Sequence, residues 1–346
     1  MKVLRIIFVL TLLPMFGLAQ INRDSLFNAE RTMDRRYALY KGQIRVEGTY
    51  GFSIFKSEFD ESGNKEPLSD RGISSNMHTL GVNVRVGIID YLDFEARFKH
   101  KKQNYRGEPV YIIGAPAPPL QLYTDVVTTG LEDIYLGLNG IIPLSTRNLD
   151  VGGSAGVYLP LAESTAYQPE HSLSSDEWGD IVSYYFENPW GYGVLSYYYK
   201  GFLKYRFTDF AIFGSFESRV PLGVSENLAW SSRLNDNDVF VYESTKYEHQ
   251  VPQKILINLQ AEYQLYDWVN VFFGYSRYMS QGGWSEESGN KIAIPEEKLN
   301  LLSPGYEILV SSKLWLRQSV LLPLSGESAY SPFRIQTTFY YNLFAF

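Results

Sequence analysis

The sequence predicts an all-β protein, namely a closed antiparallel transmembrane β-barrel of about twelve strands with a short N-terminal helical segment. Residues 78–101 alternate apolar and polar side chains almost without a break on both sides of one tight turn, which predicts a β-hairpin with two different faces. Each arm runs to about ten residues, the length of a tilted strand that crosses a bilayer. Aromatic residues make up 16% of the chain, yet its mean hydropathy is only −0.18. A barrel combines these properties, because half of each strand faces water and aromatic girdles mark both membrane interfaces.

The two faces of this hairpin define the candidate lumen. Its apolar face comprises Leu80, Val82, Val84, Val86, Leu92, Phe94, Ala96 and Phe98. The predicted lumen-lining residues lie on its polar face and on the strand before it, and they are Arg45, Glu47, Asn83, Arg85, Asp93, Glu95, Arg97 and Lys99. A pairing of Ile88 with Leu92 around the turn places Arg85 opposite Glu95 and Asn83 opposite Arg97. This charged face fits either the wall of a pore or a closed interior filled by its own salt bridges.

Two segments precede the barrel. Residues 1–19 place Lys2 and Arg5 ahead of a short apolar run and end in the small residue Ala19, which predicts a secretory signal peptide. Residues 20–40 carry apolar side chains at helical spacing, which predicts a short amphipathic helix that serves as a lumenal plug or a periplasmic segment. A mobile leader is the alternative. The barrel is expected to occupy residues 41–346 as a single domain.

Long polar connections alternate with short turns along the barrel segment. The long ones, expected outside the cell, are residues 55–76, 102–129, 161–189, 221–253 and 281–304. Bacterial barrels have an even number of strands and short periplasmic turns, so both ends of the barrel segment are expected on the periplasmic side. The turns carry aromatic residues that suit the inner interfacial girdle, namely Tyr91, Phe207, Tyr266, Trp268 and Trp315. A soluble lectin-like sandwich is the alternative fold.

Charge and cysteine content narrow the class further. The formal net charge is −7, which argues against nucleic acid as a partner. The chain has no cysteine, so disulfides do not hold this exported protein together. Closure of the sheet instead removes the edges that would stay unpaired in lipid. The expected location is therefore the outer membrane, with the lipids of that membrane as partners.

The end of the chain resembles the C-terminal insertion signal of outer-membrane barrels, with Phe346 at the last position and Phe344 two residues before it. The resemblance implies that both residues act as an assembly signal and that the barrel-assembly machinery is a partner. In the alternation of the strand, both phenylalanines have the opposite parity to the apolar residues before them, such as Tyr341 and Leu343, which means that they fall on the other face. A bulge or a change of register near Asn342 would account for that difference.

Residues 130–138, with the sequence GLEDIYLGL, and the tight aromatic turns resemble the outer-membrane family named for the meta-pathway of phenol degradation, a relative of the long-chain fatty-acid channels. The resemblance covers most of the barrel. It implies a passive pathway for small hydrophobic or aromatic solutes. The chain departs from the fatty-acid channels themselves, because residues 20–40 lack the Asn-Pro-Ala start of their N-terminal hatch.

The chain does not carry the residue patterns of an enzyme. None of its four histidines lies at metal-ligand spacing, so no metal, cofactor or catalytic residue is predicted. His78 and His100 lie near each other on the apolar face of the hairpin, and outer-membrane phospholipases are also barrels with a His–Ser pair that faces lipid. No serine of matching parity lies on the neighbouring strand, although Ser74 and Ser75 are close in sequence.

The function predicted from these patterns is an outer-membrane channel for passive uptake of small solutes, hydrophobic or aromatic ones included. Its partner is then a small-molecule solute. Two alternatives stay open, a structural or docking barrel of an envelope complex and an outer-membrane lipid hydrolase. The identity of the solute is not encoded in any motif of the chain.

Overall fold

A computed structural model describes residues 37–106, 110–111, 121–122, 125–142, 144, 148–161, 194–234, 240–287 and 290–344. The predicted signal peptide, most of the predicted N-terminal helix and Phe346 lie outside these ranges. Within them the regular secondary structure is β, apart from one 3-10 helix at Leu68–Arg71. None of the described residues form a helix long and apolar enough to cross a membrane.

The strands are numbered in chain order. They are β1 (Gln43–Phe59), β2 (Lys65–Pro67), β3 (Ser74–Ile89), β4 (Leu92–Arg106), β5 (Val110–Tyr111), β6 (Gln121–Leu122), β7 (Asp125–Leu131), β8 (Ile134–Ile142), β9 (Leu149–Leu159), β10 (Ser196–Arg206), β11 (Phe210–Pro221), β12 (Ser225–Leu234), β13 (Phe240–Gln250), β14 (Gln253–Tyr266), β15 (Val269–Gln281), β16 (Trp284–Glu287), β17 (Asn290–Ala293), β18 (Glu297–Ser311), β19 (Leu314–Glu327) and β20 (Ala329–Phe344).

Twelve spanning strands close into one antiparallel barrel, which confirms the predicted fold class. The order around the ring is β1, β20, β19, β18, β15, β14, β11, β10, β9, β8, β4 and β3. β1 pairs with β20 on one side and with β3 on the other, and this double pairing closes the sheet. β7 and β8 both pair with β4 and together act as one spanning strand. Two small separate sheets consist of β5 with β6, and of β12, β13, β16 and β17.

Several strands continue beyond the ends that hydropathy predicts. β4 runs to Arg106 and β18 begins at Glu297, so the predicted loops 102–129 and 281–304 are too long. Lys102, for example, still pairs in register with His78. Polar side chains do not end a strand, because the ladder is formed by backbone groups that need partners whatever the side chains are.

The turn of the β3–β4 hairpin differs in one detail from the prediction. Ile89, rather than Ile88, pairs with Leu92, and a register shift beside it absorbs the extra residue. Beyond this shift the predicted register is confirmed, with Arg85 opposite Glu95 and Asn83 opposite Arg97. A bulge of this kind adjusts the turn without changing the face that each later side chain occupies.

Apolar side chains cover the outside of the barrel, and charged side chains lie inside. On β4 the outward Phe94 and Phe98 are 39% and 41% exposed, whereas the inward Asp93 and Glu95 are 0% and 3% exposed. A soluble protein buries the first kind of residue and exposes the second. The reversed pattern is that of a barrel that spans the outer membrane, solvated by lipid on the outside and by water or its own ion pairs within.

Aromatic side chains ring the end of the barrel that carries the short turns. Tyr91, Phe207 and Tyr266 are 43%, 51% and 57% exposed, and Tyr266 stacks on Trp268 with 5.8 Å between ring centroids. These residues form the predicted interfacial girdle. Trp315 does not belong to it. It is the second residue of β19 and faces inward, so its side chain is only 4% exposed.

The C-terminal part of the last strand keeps one register against the first, from the pair of Pro332 with Phe55 to that of Phe344 with Gln43. Asn342, Leu343 and Phe344 pair in succession with Arg45, Ile44 and Gln43. No bulge occurs at Asn342 within the residues that the structure describes, so that explanation for the parity of Phe344 is wrong. The ladder with β1 instead extends unbroken to the end of β20.

Candidate functional site in the barrel lumen

A polar cavity of about 510 Å³ lies inside the barrel. The strands that contribute to its wall include β1, β3, β4, β10, β11, β14, β18 and β20. Among the predicted lumen residues, Arg45, Glu47, Asn83, Arg85, Glu95, Arg97 and Lys99 line it. Asp93 does not line it and is fully buried. The alternation of each strand thus brings charged residues from distant parts of the chain to one space.

Arg85 and Asp93 form a buried ion pair near the short turn of the β3–β4 hairpin. The guanidinium donates from Nε to Oδ1 of Asp93 at 2.9 Å and from Nη2 to Oδ2 at 2.6 Å. The same Nη2 donates to the backbone carbonyl of Tyr37 at 2.6 Å. Asn139 of β8 donates its amide to Oδ1 of Asp93 at 2.9 Å. The hydrogen bonds of this buried pair therefore join β3, β4, β8 and the N-terminal segment.

Glu95 is the centre of a second polar network one step further into the barrel. Its carboxylate accepts two hydrogen bonds from Arg97, at 2.6 and 3.0 Å. It also accepts from the amides of Asn83 and Asn139, each at 2.7 Å. Asn83 in addition donates to Glu47 on β1 at 3.1 Å. This network links three adjacent strand faces through one carboxylate, and charge-assisted bonds of this kind hold the participating side chains rigidly.

Tyrosine rings support the cationic side chains of this wall. The guanidinium carbon of Arg97 lies 4.4 Å from the ring centroid of Tyr135 and 5.3 Å from that of Tyr198. Arg219 lies 3.9 Å over the ring of Tyr158 and forms an ion pair with Asp133. A flat guanidinium stacks well on an aromatic face, so the rings fix the direction in which each cation points.

Further ion pairs line the opposite wall. Lys200 of β10 lies 2.7 Å from Glu217, which also accepts a hydrogen bond from Tyr198 at 2.8 Å. Lys204 lies 2.8 Å from Glu262. Arg317 of β19 lies 3.9 Å over the ring of Phe272 and donates to Gln260 at 2.8 Å. These residues were not predicted, although their inward parity within β10, β11 and β19 could have indicated them.

The described part of the N-terminal segment lies in the lumen at the short-turn end. Residues 37–40 are not helical. The ring of Tyr37 lies 3.9 Å from that of Phe202, and its hydroxyl is 3.1 Å from Oγ of Ser154. The backbone N–H of Leu39 donates to Asp93 at 3.0 Å. Residues 37–39 therefore narrow the lumen and share their hydrogen-bond partners with the ion pairs of the wall.

Gly87 makes room for this segment. A Cβ at this position would overlap the carbonyl oxygen of Tyr40 and contact Leu39. The carbonyl of Gly87 accepts a hydrogen bond from the N–H of Gly42 at 2.9 Å. Only a residue without a side chain permits so close an approach of two backbones. The glycine at this position of β3 thus allows the N-terminal segment to pack directly against the strand.

Cations predominate toward the long-loop end of the lumen. Arg334 of β20 donates to the hydroxyl of Thr79 at 3.1 Å, and its Nε would lie 3.3 Å from a Cβ at Gly51. Lys99 lies 3.4 Å from Glu132, which also pairs with Lys101. Two lysines share this one carboxylate. The long-loop end of the wall therefore offers positive charge to a solute that enters it.

The two histidines of the hairpin face outward and have separate partners. Nδ1 of His78 is 2.9 Å from the hydroxyl of Tyr50, and Nε2 of His100 is 3.1 Å from that of Thr129. Neither ring contacts a serine hydroxyl in these bonds, so this geometry does not provide the activated nucleophile of a lipid hydrolase. No group of three potential metal ligands occurs among the residues described.

The fold and the site thus define the class of protein, which is a transmembrane barrel with a charged, partly plugged lumen. No family model and no curated protein matches the chain. Among solved structures it is similar to an outer membrane channel from Pseudomonas putida F1, with a TM-score of 0.58 and 14% identity over 92% of this chain and 98% of that one. It is also similar to the deltaS2 mutant of the monoaromatic hydrocarbon channel TodX, a protein of Pseudomonas putida, with a TM-score of 0.50 and 11% identity over 93% and 94% of the chains. These similarities establish a common barrel fold, and the phenol-degradation subtype stays a prediction.

Proposed function

We propose that this protein is an outer-membrane channel through which small solutes, aromatic solutes among them, move passively. The observation that carries the proposal is the cavity of about 510 Å³ enclosed by the barrel wall. A dry apolar cavity of roughly 150 Å³ already accepts benzene. The lumen therefore has room for a single substituted ring together with some of its hydration water.

The chemistry of the wall supports a solute that is both aromatic and polar. Tyr37, Phe202 and Phe213 form one aromatic surface of the cavity, with 6.0 Å between the stacked rings of the last two. Lys200 lies 5.8 Å from the ring centroids of Tyr37 and Phe213. A ring can stack on this surface while a hydroxyl or carboxylate on it meets the neighbouring cations. The name of TodX, a monoaromatic hydrocarbon channel, supports the aromatic part of this proposal.

The N-terminal segment obstructs the path of a solute through the barrel. Tyr37 and Leu39 bind the wall at the short-turn end through Ser154 and Asp93. A solute that crosses the barrel along its axis must displace these residues or pass beside them. We therefore expect small, infrequent conductance events rather than the steady large currents of an open porin.

Planar-bilayer recording of the purified, refolded protein tests the proposal. We expect a defined unit conductance that benzyl alcohol or benzoate reduces, whereas cyclohexylmethanol at equal concentration reduces it less, because its saturated ring cannot stack. Equal block by the aromatic and the saturated alcohol would contradict the aromatic specificity. Absence of any conductance from correctly folded protein, including protein without residues 20–40, would contradict the channel itself.

A structural barrel is the second candidate function, and one observation favours it. The lumenal carboxylates Glu95, Glu217 and Glu262 are each bound by a neighbouring cation, and Tyr37 packs on Phe202 inside the lumen. An interior satisfied in this way needs no solute. The same recordings separate the two functions, since a structural barrel stays electrically silent after the N-terminal segment is removed.

A further inference from the structure

We propose that the outward face of the β3–β4 hairpin, at its end away from the short turn, binds the phosphorylated headgroup of a lipid in the external leaflet. We call this surface the headgroup patch, and it consists of Asn76, His78, Lys102, Asn104 and Arg106. The proposal is independent of the channel function, because none of these residues lines the lumen cavity.

The position of the headgroup patch follows from the alternation of the two strands. Leu80, Val82 and Phe98 lie on the same outward face nearer the short turn and are 56%, 48% and 41% exposed. Beyond them the outward residues become polar without any change of face, since the register between β3 and β4 has no further shift. The hydrocarbon layer therefore ends at this level. The long connections lie at the same end, which in outer-membrane barrels faces the outside of the cell.

An amide pair occupies the middle of the headgroup patch. The side chain of Asn104 donates to Oδ1 of Asn76 at 2.9 Å across the ladder. This bond uses one of the two amide hydrogens of Asn104, so a donor remains for an external acceptor. His78 lies one outward position nearer the membrane, held by its bond to Tyr50 and by the ring of Phe52 at 4.9 Å. The polar atoms of the patch are thus held in fixed places before a ligand arrives.

Lys102 supplies the charge on which the proposal rests. It lies directly opposite His78 in the ladder, and its side chain is exposed. No carboxylate among the described residues forms an ion pair with it. Arg106 follows on the same face, with Asp125 of β7 as its ladder partner. The exposed ammonium group of Lys102 attracts an anionic group of a neighbouring molecule at this level.

Phosphate on a lipid fits this surface better than a soluble anion does. Lysine and arginine bind phosphate oxygens through charge-assisted hydrogen bonds. The apolar residues directly below the patch, Leu80 and Phe98, provide a surface for acyl chains attached to the same molecule. A ligand that carries phosphate above acyl chains can bind the headgroup patch and the apolar residues below it at the same time.

Native mass spectrometry of the full folded protein in detergent micelles tests the proposal, with diphosphoryl lipid A as the titrated probe. We expect bound lipid A to survive transfer at low micromolar concentrations, and Lys102→Glu to weaken binding by about tenfold. Lys313→Glu is the matched control, because Lys313 is also exposed but lies in a turn at the opposite end of the barrel. It should bind lipid A as the unaltered protein does.

Two further measurements complete the test. Inorganic phosphate in the millimolar range should not displace lipid A, whereas displacement would show a site for free anions and overturn the assignment to a lipid. Lys102→Gln, which removes the charge without reversing it, should lose affinity in the same direction if Lys102→Glu fails to fold. Equal affinities of Lys102→Gln and Lys313→Glu, in protein that migrates as a folded barrel, would overturn the proposal.

Discussion

Arg85 lies directly opposite Glu95 in the ladder between β3 and β4, yet its guanidinium binds Asp93 through two hydrogen bonds of 2.9 and 2.6 Å. Glu95 is instead held by Arg97, which is two positions along its own strand. Because it binds Asp93 diagonally across the ladder, the guanidinium of Arg85 points toward the short-turn end, where it also donates to the carbonyl of Tyr37. One ion pair therefore joins the hairpin to the N-terminal segment.

Replacing Arg85 with alanine should destabilise the barrel strongly. Asp93 is 0% exposed, so the substitution leaves a buried carboxylate without its cation, a change that typically costs about 3–5 kcal/mol. The temperature at which the folded band disappears on a heat-modifiability gel should fall. The double variant Arg85→Ala with Asp93→Asn should recover part of the loss, because the orphaned charge is gone. If the single variant unfolds at the temperature of the unaltered protein, this pair does not stabilise the barrel.

Replacing Gly87 with alanine should displace the N-terminal segment without altering any lumenal charge. The new Cβ would overlap the carbonyl oxygen of Tyr40, so the segment must move away from β3. Under the channel proposal, planar-bilayer conductance should increase. Gly48→Ala is the matched control on β1, because a Cβ there meets no atom within 4 Å. An increase in both variants, or in neither, would contradict the view that residues 37–40 obstruct the pathway.

Replacing Arg97 with alanine should reduce preference for anions in a conducting barrel. Arg97 lines the cavity, and its removal takes a positive charge from between Tyr135 and Tyr198 and leaves Glu95 less neutralised. Reversal potentials across a salt gradient should shift toward cation selectivity. Lys313→Ala removes a positive charge outside the lumen and should cause no shift. A reversal potential that does not change in folded Arg97→Ala protein would exclude this hairpin from the conducting path.

Deleting Phe346 should impair assembly rather than transport. The last strand closes the barrel against β1, and their ladder extends to the pair of Phe344 with Gln43. We expect the truncated chain to accumulate in the periplasm or to be degraded, while Phe346→Trp, which keeps a terminal aromatic, assembles. The measurement is the amount of heat-modifiable protein in outer-membrane fractions. Normal amounts of the truncated chain there would contradict an assembly role for the terminal residue.

The part of the site that could be predicted is the part that follows from strand periodicity. The parity of Arg85, Glu95 and Arg97 assigns them to the inward face as soon as the hairpin is recognised, since side chains alternate strictly along a strand. The prediction for Trp315 is wrong because it rests on proximity to a turn, whereas the position of Trp315 in the alternation of β19 assigns it to the inward face. Where proximity to a turn and parity disagreed, parity was correct.

Contacts across the barrel could not be predicted, because they join residues that no local pattern relates. Arg219 reaches Asp133 across 86 positions of sequence, and Tyr37 reaches Ser154 across 117. Such partners meet only when the ring of strands closes with a particular order and stagger. A charged residue on the inward face also has several oppositely charged neighbours within reach, so the ladder partner is not always the partner in the ion pair.

The sequence alone therefore determined the kind of protein: alternation with a period of two, strands of spanning length and aromatic turns specify a barrel in lipid and the face of each residue. The tertiary structure decided which charges neutralise one another, how far the N-terminal segment enters the lumen and where the cavity remains. The physical reason is that periodicity is a property of one strand, whereas the width of the lumen and the pairing within it depend on all the strands at once.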